Sequence, residues 1–130
     1  MTPGYSGTPL AKKLGIKEGT RLALLNSPPG FEIPEMPAGV RVMRPSNEAD
    51  VIVLFSKRFN DLRSRFVAAM KMMPAAGGML WVAWPKKASK VPSDLDENLI
   101  RDLGLDHGLV DTKVCAISEI WSGLRFNRRR

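Results

Sequence analysis

The sequence has very few of the side chains that build disulfides and metal sites. Only one cysteine and one histidine occur in its 130 residues. A single cysteine cannot form an internal disulfide, and a Cys-rich metal site needs several thiolates. His107 has no second histidine to pair with, and Cys115 lies in an apolar segment typical of an inert small side chain. The sequence therefore predicts neither a disulfide-linked domain nor a bound metal.

Long apolar segments are also missing. No run approaches the roughly 18 residues that a membrane-spanning helix needs, and residues 1–13 lack the apolar core of a signal peptide. The hydrophobic fraction of 44% and the charged fraction of 25% fall in the range of globular proteins. We therefore expect one soluble domain over residues 1–126, located in the cytoplasm and away from membranes.

Acidic side chains are outnumbered by basic ones. Twenty basic and 13 acidic residues give a formal net charge of +7. Four arginines fall in the last six residues, and we interpret residues 127–130 as a basic tail; the four are Arg125, Arg128, Arg129 and Arg130. A frayed basic tail attracts polyanions without reading their sequence. One hypothesis of function is therefore a weak association with nucleic acid, such as RNA, through this tail.

The pattern of apolar residues predicts alternating strands and helices. Nearly continuous apolar runs, typical of strands covered on both faces, occur at Thr20–Asn26, Asp50–Ser56 and Met79–Trp84. A shorter strand is expected at Val40–Met43. An apolar stripe at helical spacing runs from Phe59 to Met73, between the second and third long strands. This strand, helix and strand predict a right-handed parallel crossover.

Two further helices are predicted from capping signals. A short one spans Thr8–Gly15, with Thr8 as its N-cap. Another begins at Ser93, with Asp96 completing a capping box, and is interrupted by Gly104 and by Gly108.

The last part of the sequence predicts an antiparallel pair of strands. Residues Leu109–Ile117 alternate between apolar and polar side chains, and a final strand is expected at Ile120–Phe126. The whole pattern predicts a three-layer, Rossmann-like α/β domain. Its sheet of five or six strands is mainly parallel and ends in this antiparallel C-terminal pair.

Four motifs resemble a family of small bacterial proteins that is catalogued only as a domain of unknown function. They are GYSGTPLAKKLGI (residues 4–16), LWVAWPKK (residues 80–87), GLVDTKVCA (residues 108–116) and WSGL (residues 121–124). The resemblance covers nearly the whole chain. It implies a bacterial, cytoplasmic protein, and it implies no particular activity.

More remotely, the order of predicted elements is similar to a shortened Rossmann-like methyltransferase. This resemblance implies an enzyme that uses S-adenosylmethionine. Such folds bind the cofactor at a glycine-rich turn after the first strand, and an acidic residue after the second strand holds the ribose. Here residues 26–30 read NSPPG, in which two prolines lack backbone donors, and residues 43–45 read MRP. Methyl transfer is therefore an alternative and not the main prediction.

Polar and basic side chains follow each of the three long strands. In open α/β sheets, ligands bind in the crevice beyond the carboxyl ends of the strands. Basic groups and helix starts at this edge suit a phosphate or a carboxylate. The candidate ligand-binding residues are Ser27, Gly30, Ser56, Lys57, Arg58, Lys86, Lys87, Ser89 and Lys90. A plainer interpretation is that these loops are simply polar, with Ser56 a helix cap and the lysines solvated.

Trp84 ends the third long strand and is a further candidate. An indole there can stack on a base, although indoles at strand ends more often pack in the core. No pair of general acid and general base can be named from the sequence. The sequence therefore predicts a binding module for a small anionic ligand or a nucleotide. The alternatives are an enzyme using S-adenosylmethionine and a protein that associates with RNA.

Overall fold

A computed structural model describes residues 8–129, in which six strands form one sheet. In chain order the strands are β1 (Arg21–Leu25), β2 (Arg41–Val42), β3 (Val51–Phe55), β4 (Met79–Pro85), β5 (Leu109–Ala116) and β6 (Trp121–Arg128). The helices in this range are α1 (Leu10–Lys13), α2 (Phe59–Lys71) and α3 (Glu97–Asp106), with a 3₁₀ turn at Lys87–Ser89. Residues 4–7 of the first motif and Arg130 of the predicted tail lie outside the described residues.

The sheet confirms the predicted fold class. Its strand order is β2-β1-β3-β4-β6-β5. The first four of these strands are parallel to one another, and β6 is antiparallel to both β4 and β5. The protein is therefore a mixed α/β fold of the Rossmann-like type, with a mainly parallel sheet and an antiparallel C-terminal pair.

Helices and loops cover the two faces of the sheet and make the three layers. Leu62 and Phe66 of α2, with Ile100 of α3, pack on one face. Leu14 of α1 and Ile33 of the β1–β2 connection pack on the other. Full burial of each such side chain contributes about 1.5–3 kcal/mol to folding, so the apolar stripes of the sequence decide which face each helix covers.

The first predicted helix is longer than the observed one and has a different N-cap. The predicted helix at Thr8–Gly15 is observed as the shorter α1, and its N-cap is Pro9 without a side-chain hydrogen bond. Gly15 does close the helix, with a φ of 84° that suits glycine. The indole N–H of Trp81 donates to the carbonyl of Leu14 at 3.0 Å and attaches this helix to the sheet.

The predicted capping box at Ser93 is wrong. The N-cap of α3 is Asp96, whose carboxylate accepts a hydrogen bond from the N–H of Leu99 at 2.9 Å. The hydroxyl of Ser93 donates instead to the carbonyl of Lys57 at 2.7 Å, on a different element. The capping box fails because the segment before Asp96 is used for a tertiary contact.

The predicted helix break at Gly104 is also wrong. Helix α3 continues through Gly104 to Asp106. A Cβ at Gly104 would overlap the ring of Phe126 on β6. This glycine therefore permits close packing of helix and sheet, and it does not end the helix.

The last two strands differ from the sequence prediction in two ways. Strand β6 runs to Arg128, so the predicted boundary at residue 126 falls inside a strand. The guanidinium of Arg128 donates to the carbonyl of Pro74 at 2.9 Å and to that of Met73 at 3.2 Å, just beyond α2. Strand β5 contains a bulge between Asp111 and Lys113, which interrupts the predicted alternation.

Candidate functional site

The candidate site lies where the chain direction across the sheet reverses. Strand β1 lies between β2 and β3, so the connections after β1 and β2 lead to opposite sides of β1. Such a switch point leaves a crevice beyond the carboxyl ends of the strands. An open cleft of about 370 Å³ occupies this place. It is lined by Asn26, Ser27, Pro28, Pro29, Ser56, Lys57, Arg58, Asp61 and Trp121.

Asn26 ties the two strand ends together at the cleft. Its backbone has a φ of 57°, a left-handed conformation that asparagine tolerates better than most residues. Its side-chain amide donates a hydrogen bond to the carbonyl of Phe55 at 2.8 Å. The turn after β1 is therefore held against the end of β3, and the prolines that follow form one wall of the cleft.

The side chains of Ser56, Asp61 and Arg65 form a hydrogen-bonded network on the side of the cleft next to α2. The hydroxyl of Ser56 donates to one carboxylate oxygen of Asp61 at 2.7 Å, and Nε of Arg65 donates to the other at 2.8 Å. The hydrogen bond from Arg65, followed by that from Ser56, holds the pKa of the Asp61 carboxyl below its usual range. Asp61 is therefore ionised at neutral pH and is a poor proton donor.

One N–H at the N-terminus of α2 is already bound by a carboxylate of the chain itself. Arg58 is the N-cap, without a side-chain cap. The first helical N–H, that of Phe59, donates to Oδ1 of Asp94 at 2.8 Å. Lys57 and Arg58, which are both exposed, offer further positive charge to a ligand at this edge.

Trp121, a buried side chain, contributes an apolar ring to the lining of the cleft. Strand β6 begins at Trp121, which pairs with Pro85 at the end of β4. Its ring meets Phe55 edge to face, with centroids 5.1 Å apart, and Phe55 meets Phe31 in the same way at 4.9 Å. These contacts hold the indole in place, with the cleft above it.

The structure brings together only part of the predicted site. Ser27, Ser56, Lys57 and Arg58 line the cleft. The predicted residues that do not line it are Gly30, Trp84, Lys86, Lys87, Ser89 and Lys90.

Several of the predicted residues outside the cleft make structural contacts in their own part of the fold. The N–H of Lys86 donates to the carbonyl of Ile120 at 2.7 Å, which continues the pairing of β4 with β6. The hydroxyl of Ser89 donates to the carbonyl of Lys86 at 2.6 Å, within the 3₁₀ turn. Trp84 is buried in the core beneath α2 and α3. The loop after β4 thus does not line the cleft.

Five residues that line the cleft lie outside the predicted set, namely Asn26, Pro28, Pro29, Asp61 and Trp121. Asp61 is in the first turn of α2, and its spacing of five from Ser56 could have suggested the hydrogen bond between them. Trp121 reaches the cleft only because β6 returns beside β4. No local sequence signal indicates that pairing.

The lone cysteine and the lone histidine lie elsewhere. His107 is the C-cap of α3, and its Nδ1 lies 2.9 Å from the carbonyl oxygen of Leu103. Burial raises the pKa of the Cys115 thiol, against the positive charges of Lys13, Lys113 and Arg125. Among residues 8–129, no cluster of three or more His, Cys, Asp or Glu side chains could hold a metal ion. No helix in that range is long and apolar enough to cross a membrane.

Comparisons with known proteins identify a fold and no family. No family model matches the chain, and no curated protein matches it. The resemblance to a small bacterial family therefore stays a prediction.

Solved structures of methyltransferases have a similar fold. A SAM-dependent methyltransferase from Aquifex aeolicus superposes with a TM-score of 0.59 at 16% identity, over 90% of this chain and 86% of that one. A protein from Pyrococcus horikoshii, described as a "putative RNA methyltransferase", gives a TM-score of 0.53 at 15% identity, over 92% of this chain and 78% of that one. Identities this low show a shared fold alone.

Proposed function

We propose that the protein binds a small anionic ligand, a nucleotide or a phosphorylated metabolite, in the cleft at the ends of β1 and β3, without catalysis. The observation that carries this proposal is the position of the cleft. It lies at the switch point of a parallel sheet, with the cationic side chains of Lys57 and Arg58 along it. A guanidinium and an ammonium together suit a phosphate group.

The remaining lining suits the uncharged part of such a ligand. Trp121 and the prolines after Ser27 offer apolar walls for a base or a sugar face. Ser27 adds a hydroxyl to the lining. A cleft of about 370 Å³ lies at the lower end of the range for small-molecule sites.

The arrangement of polar groups favours binding over catalysis. The hydroxyl of Ser56 donates its one proton to Asp61 at 2.7 Å, and the carbonyl oxygen of Arg58 lies 3.1 Å away, so that proton faces oxygens of the protein. Asp61 is paired with Arg65, which lowers its basicity. Acid–base catalysis needs a group whose pKa lies near the working pH, and Asp61 is shifted away from it.

S-adenosylmethionine is the second candidate ligand, because the similar solved structures include a SAM-dependent methyltransferase. The residues present do not fit it well. Residues 43–46, which follow β2, read MRPS and carry no carboxylate for a ribose. The nearest acids, Glu48 and Asp50, bind Arg21 at the opposite, amino end of β1. Pro28 and Pro29 also remove backbone donors from the turn after β1. We therefore derive no methyl-transfer step.

Calorimetric titration tests the cleft directly. We expect at least one ligand from a set of nucleotides, phosphorylated sugars, inorganic phosphate and S-adenosylmethionine to bind and to raise the melting temperature. The double variant Lys57→Glu, Arg58→Glu should abolish this binding. The matched control Lys86→Glu, Lys87→Glu makes the same change in charge outside the cleft and should retain most of it.

Three results would decide against this assignment. Loss of binding in the Lys86 and Lys87 variant alone would move the ligand to the loop after β4. Failure of the wild-type protein to bind any ligand of the set would contradict the proposal. Binding of S-adenosylmethionine alone would instead favour the methyltransferase alternative.

A tryptophan signal gives an independent check. All three tryptophans are buried, but only Trp121 lines the cleft; Trp81 and Trp84 do not. Ligand binding should change the fluorescence of the wild-type protein, and Trp121→Phe should remove that change. A signal that persists in the variant would place the ligand elsewhere.

A further inference from the structure

Two cations lie directly opposite each other on neighbouring strands, far from the cleft. Lys113 of β5 pairs in register with Arg125 of β6. Directly opposite residues of an antiparallel pair project to the same face, and like charges in this position destabilise a sheet. The face is the one that α1 covers in part, because Arg125 is also the register partner of Trp81, whose indole binds α1.

The β-bulge creates this pairing. Asp111 is opposite Phe126, and the next residue of β6, Arg125, is opposite Lys113 because Thr112 is the extra residue. In a regular ladder Thr112 would occupy the position opposite Arg125. Bulges re-aim side chains and are frequent beside functional sites. The strand therefore departs from regular pairing at the residue that brings the two cations together.

Neither Lys113 nor Arg125 is neutralised by an acidic partner within residues 8–129. Three other arginines have such partners, in the pairs Arg21–Asp50, Arg65–Asp61 and Arg101–Asp111. Asp111, the acid nearest to Lys113 in sequence, is thus already paired with Arg101 of α3. The same fold therefore neutralises arginines elsewhere and leaves these two opposed cations without an acid.

Arg125 is held in place by neutral groups. Its Nε donates to the hydroxyl of Thr112 at 2.9 Å, and that hydroxyl donates to the side-chain oxygen of Asn127 at 2.6 Å. The guanidinium carbon lies 5.9 Å from the ring centre of Trp81. In the described part of the chain, its two terminal NH₂ groups have no hydrogen-bond partner, and such groups suit phosphate oxygens.

The positive surface extends beyond this pair in both directions. On one side, Cys115 packs against the apolar cluster to which α1 contributes, and Lys13 of α1 lowers the pKa of its thiol together with Lys113 and Arg125. On the other side, an open basin of about 690 Å³ contains the exposed Arg129. Its other lining residues are Ala75, Ala76, Gly77, Val110, Thr112, Asn127 and Arg128.

We propose that this basic strip, formed by Lys13, Lys113, Arg125 and Arg129, binds the phosphodiester backbone of a nucleic acid. A row of cations spread over a folded face matches a polyanion better than it matches one small ligand. The exposed large apolar side chains of residues 8–129 include no aromatic ring, so the contact is to phosphates and not through base stacking. This inference is independent of the cleft ligand, and it places two of the four cations, Lys113 and Arg125, on paired strands.

Fluorescence anisotropy with short labelled RNA and DNA, single-stranded and duplex, tests the strip. We expect an association constant whose logarithm falls linearly with the logarithm of salt concentration. Lys113→Glu, Arg125→Glu should weaken binding roughly tenfold or more and reduce the salt slope by about 1 for each phosphate that is no longer bound. The matched control Lys86→Glu, Lys87→Glu changes the net charge equally and should bind nearly as well as the wild-type protein.

Lys113→Glu alone supplies a second readout, which also guards against misfolding. It places opposite charges across the strands, so the melting temperature should rise by about 1–4 °C while nucleic acid affinity falls. Lys113→Arg should keep both the melting temperature and the nucleic acid affinity of the wild-type protein. The relative affinities of the four probes show whether RNA or DNA is preferred.

Three outcomes would overturn the proposal. One is a wild-type protein that binds none of the probes at low salt. Another is a control variant whose affinity falls as much as that of the strip variant, since net charge alone would then explain binding. The third is a Lys113→Glu variant that is more stable and still binds as tightly as the wild-type protein.

Discussion

The carboxylate of Asp94 caps helix α2 from outside that helix, accepting a hydrogen bond from the N–H of Phe59 at 2.8 Å. Thirty-five positions separate the two residues in sequence. Together with the bond from Ser93 to the carbonyl of Lys57, it anchors the segment before α3 to the rim of the cleft. The geometry of the cleft therefore depends on a loop that does not line it.

Removing that cap should destabilise the protein. We expect Asp94→Ala to lower the free energy of unfolding by about 1 kcal/mol, the usual value for removal of an N-cap, as measured by urea denaturation. Asp94→Asn should lower the free energy of unfolding by less, because an amide oxygen still accepts the hydrogen bond. Glu119→Ala removes an exposed acid elsewhere and serves as the control. Equal effects of Asp94→Ala and Glu119→Ala would contradict the capping role.

The two neighbouring arginines at the end of β6 should behave differently. Arg128 donates to carbonyls at the end of α2, whereas Arg129 is exposed and has no hydrogen bond to the rest of residues 8–129. Hydrogen bonds that involve a charged group contribute about 1.5–3 kcal/mol, so Arg128→Ala should lower stability by that order. Arg129→Ala should leave it nearly unchanged. Thermal denaturation of both variants shows whether each arginine is part of the folded strand or of an unattached tail.

Gly104 should resist replacement even though alanine favours helices. Alanine is the better helix former by about 1 kcal/mol, but a Cβ at this position would overlap the ring of Phe126. Overpacking of a core commonly costs about 1–3 kcal/mol, and we expect Gly104→Ala to be destabilising on balance. Asp102→Ala, at an exposed position of α3, is the control. A stabilised Gly104→Ala variant would show that α3 can move away from β6.

Stability should depend on acid pH through Asp50. Hydrogen bonds from Arg21 hold the pKa of the Asp50 carboxyl below its ordinary value of 3.8. A lowered pKa in the folded state stabilises the fold above 3.8, and this contribution disappears as the pH falls through the lowered value. We expect Asp50→Asn to reduce the urea midpoint at neutral pH and to flatten its decline in acid.

The matched variant for that experiment is Glu48→Gln. Glu48 accepts one hydrogen bond from Arg21, and its side chain is more exposed than that of Asp50. Its replacement should alter the pH profile less. Parallel profiles for the Asp50→Asn variant and the wild-type protein would show that Asp50 contributes nothing to the pH dependence.

Much of the fold could be predicted because its strands are continuous apolar runs. The predicted β3 is one residue too long at each end, and the predicted β4 begins at the correct residue and ends one residue early. Local sequence identifies such segments because burial on both faces permits almost no polar side chain. The boundaries of α3 are harder to predict, since Ser93 and Gly104 take part in contacts with other elements that sequence spacing does not record.

The candidate site could be predicted only as far as strand ends define it. Ser56, Lys57 and Arg58 follow β3, which borders β1, and they lie in the cleft. The basic loop that begins at Lys86 follows β4, one strand farther along, where the N–H of Lys86 pairs with Ile120 and the loop does not line the cleft. Nor could alternation in β5 reveal the bulge at Thr112, because a bulge changes which residues share a face without changing the sequence pattern.

The place of β6 in the sheet has a consequence for synthesis of the chain. Strand β6 lies between β4 and β5, although it follows both in sequence. Until it emerges from the ribosome, β5 has no neighbour to pair with, and one edge of the buried β4 stays open. Unpaired strand edges invite aggregation. A nascent chain halted before Trp121 would therefore be a natural client for a chaperone, and completion of β6 would be the step that releases it.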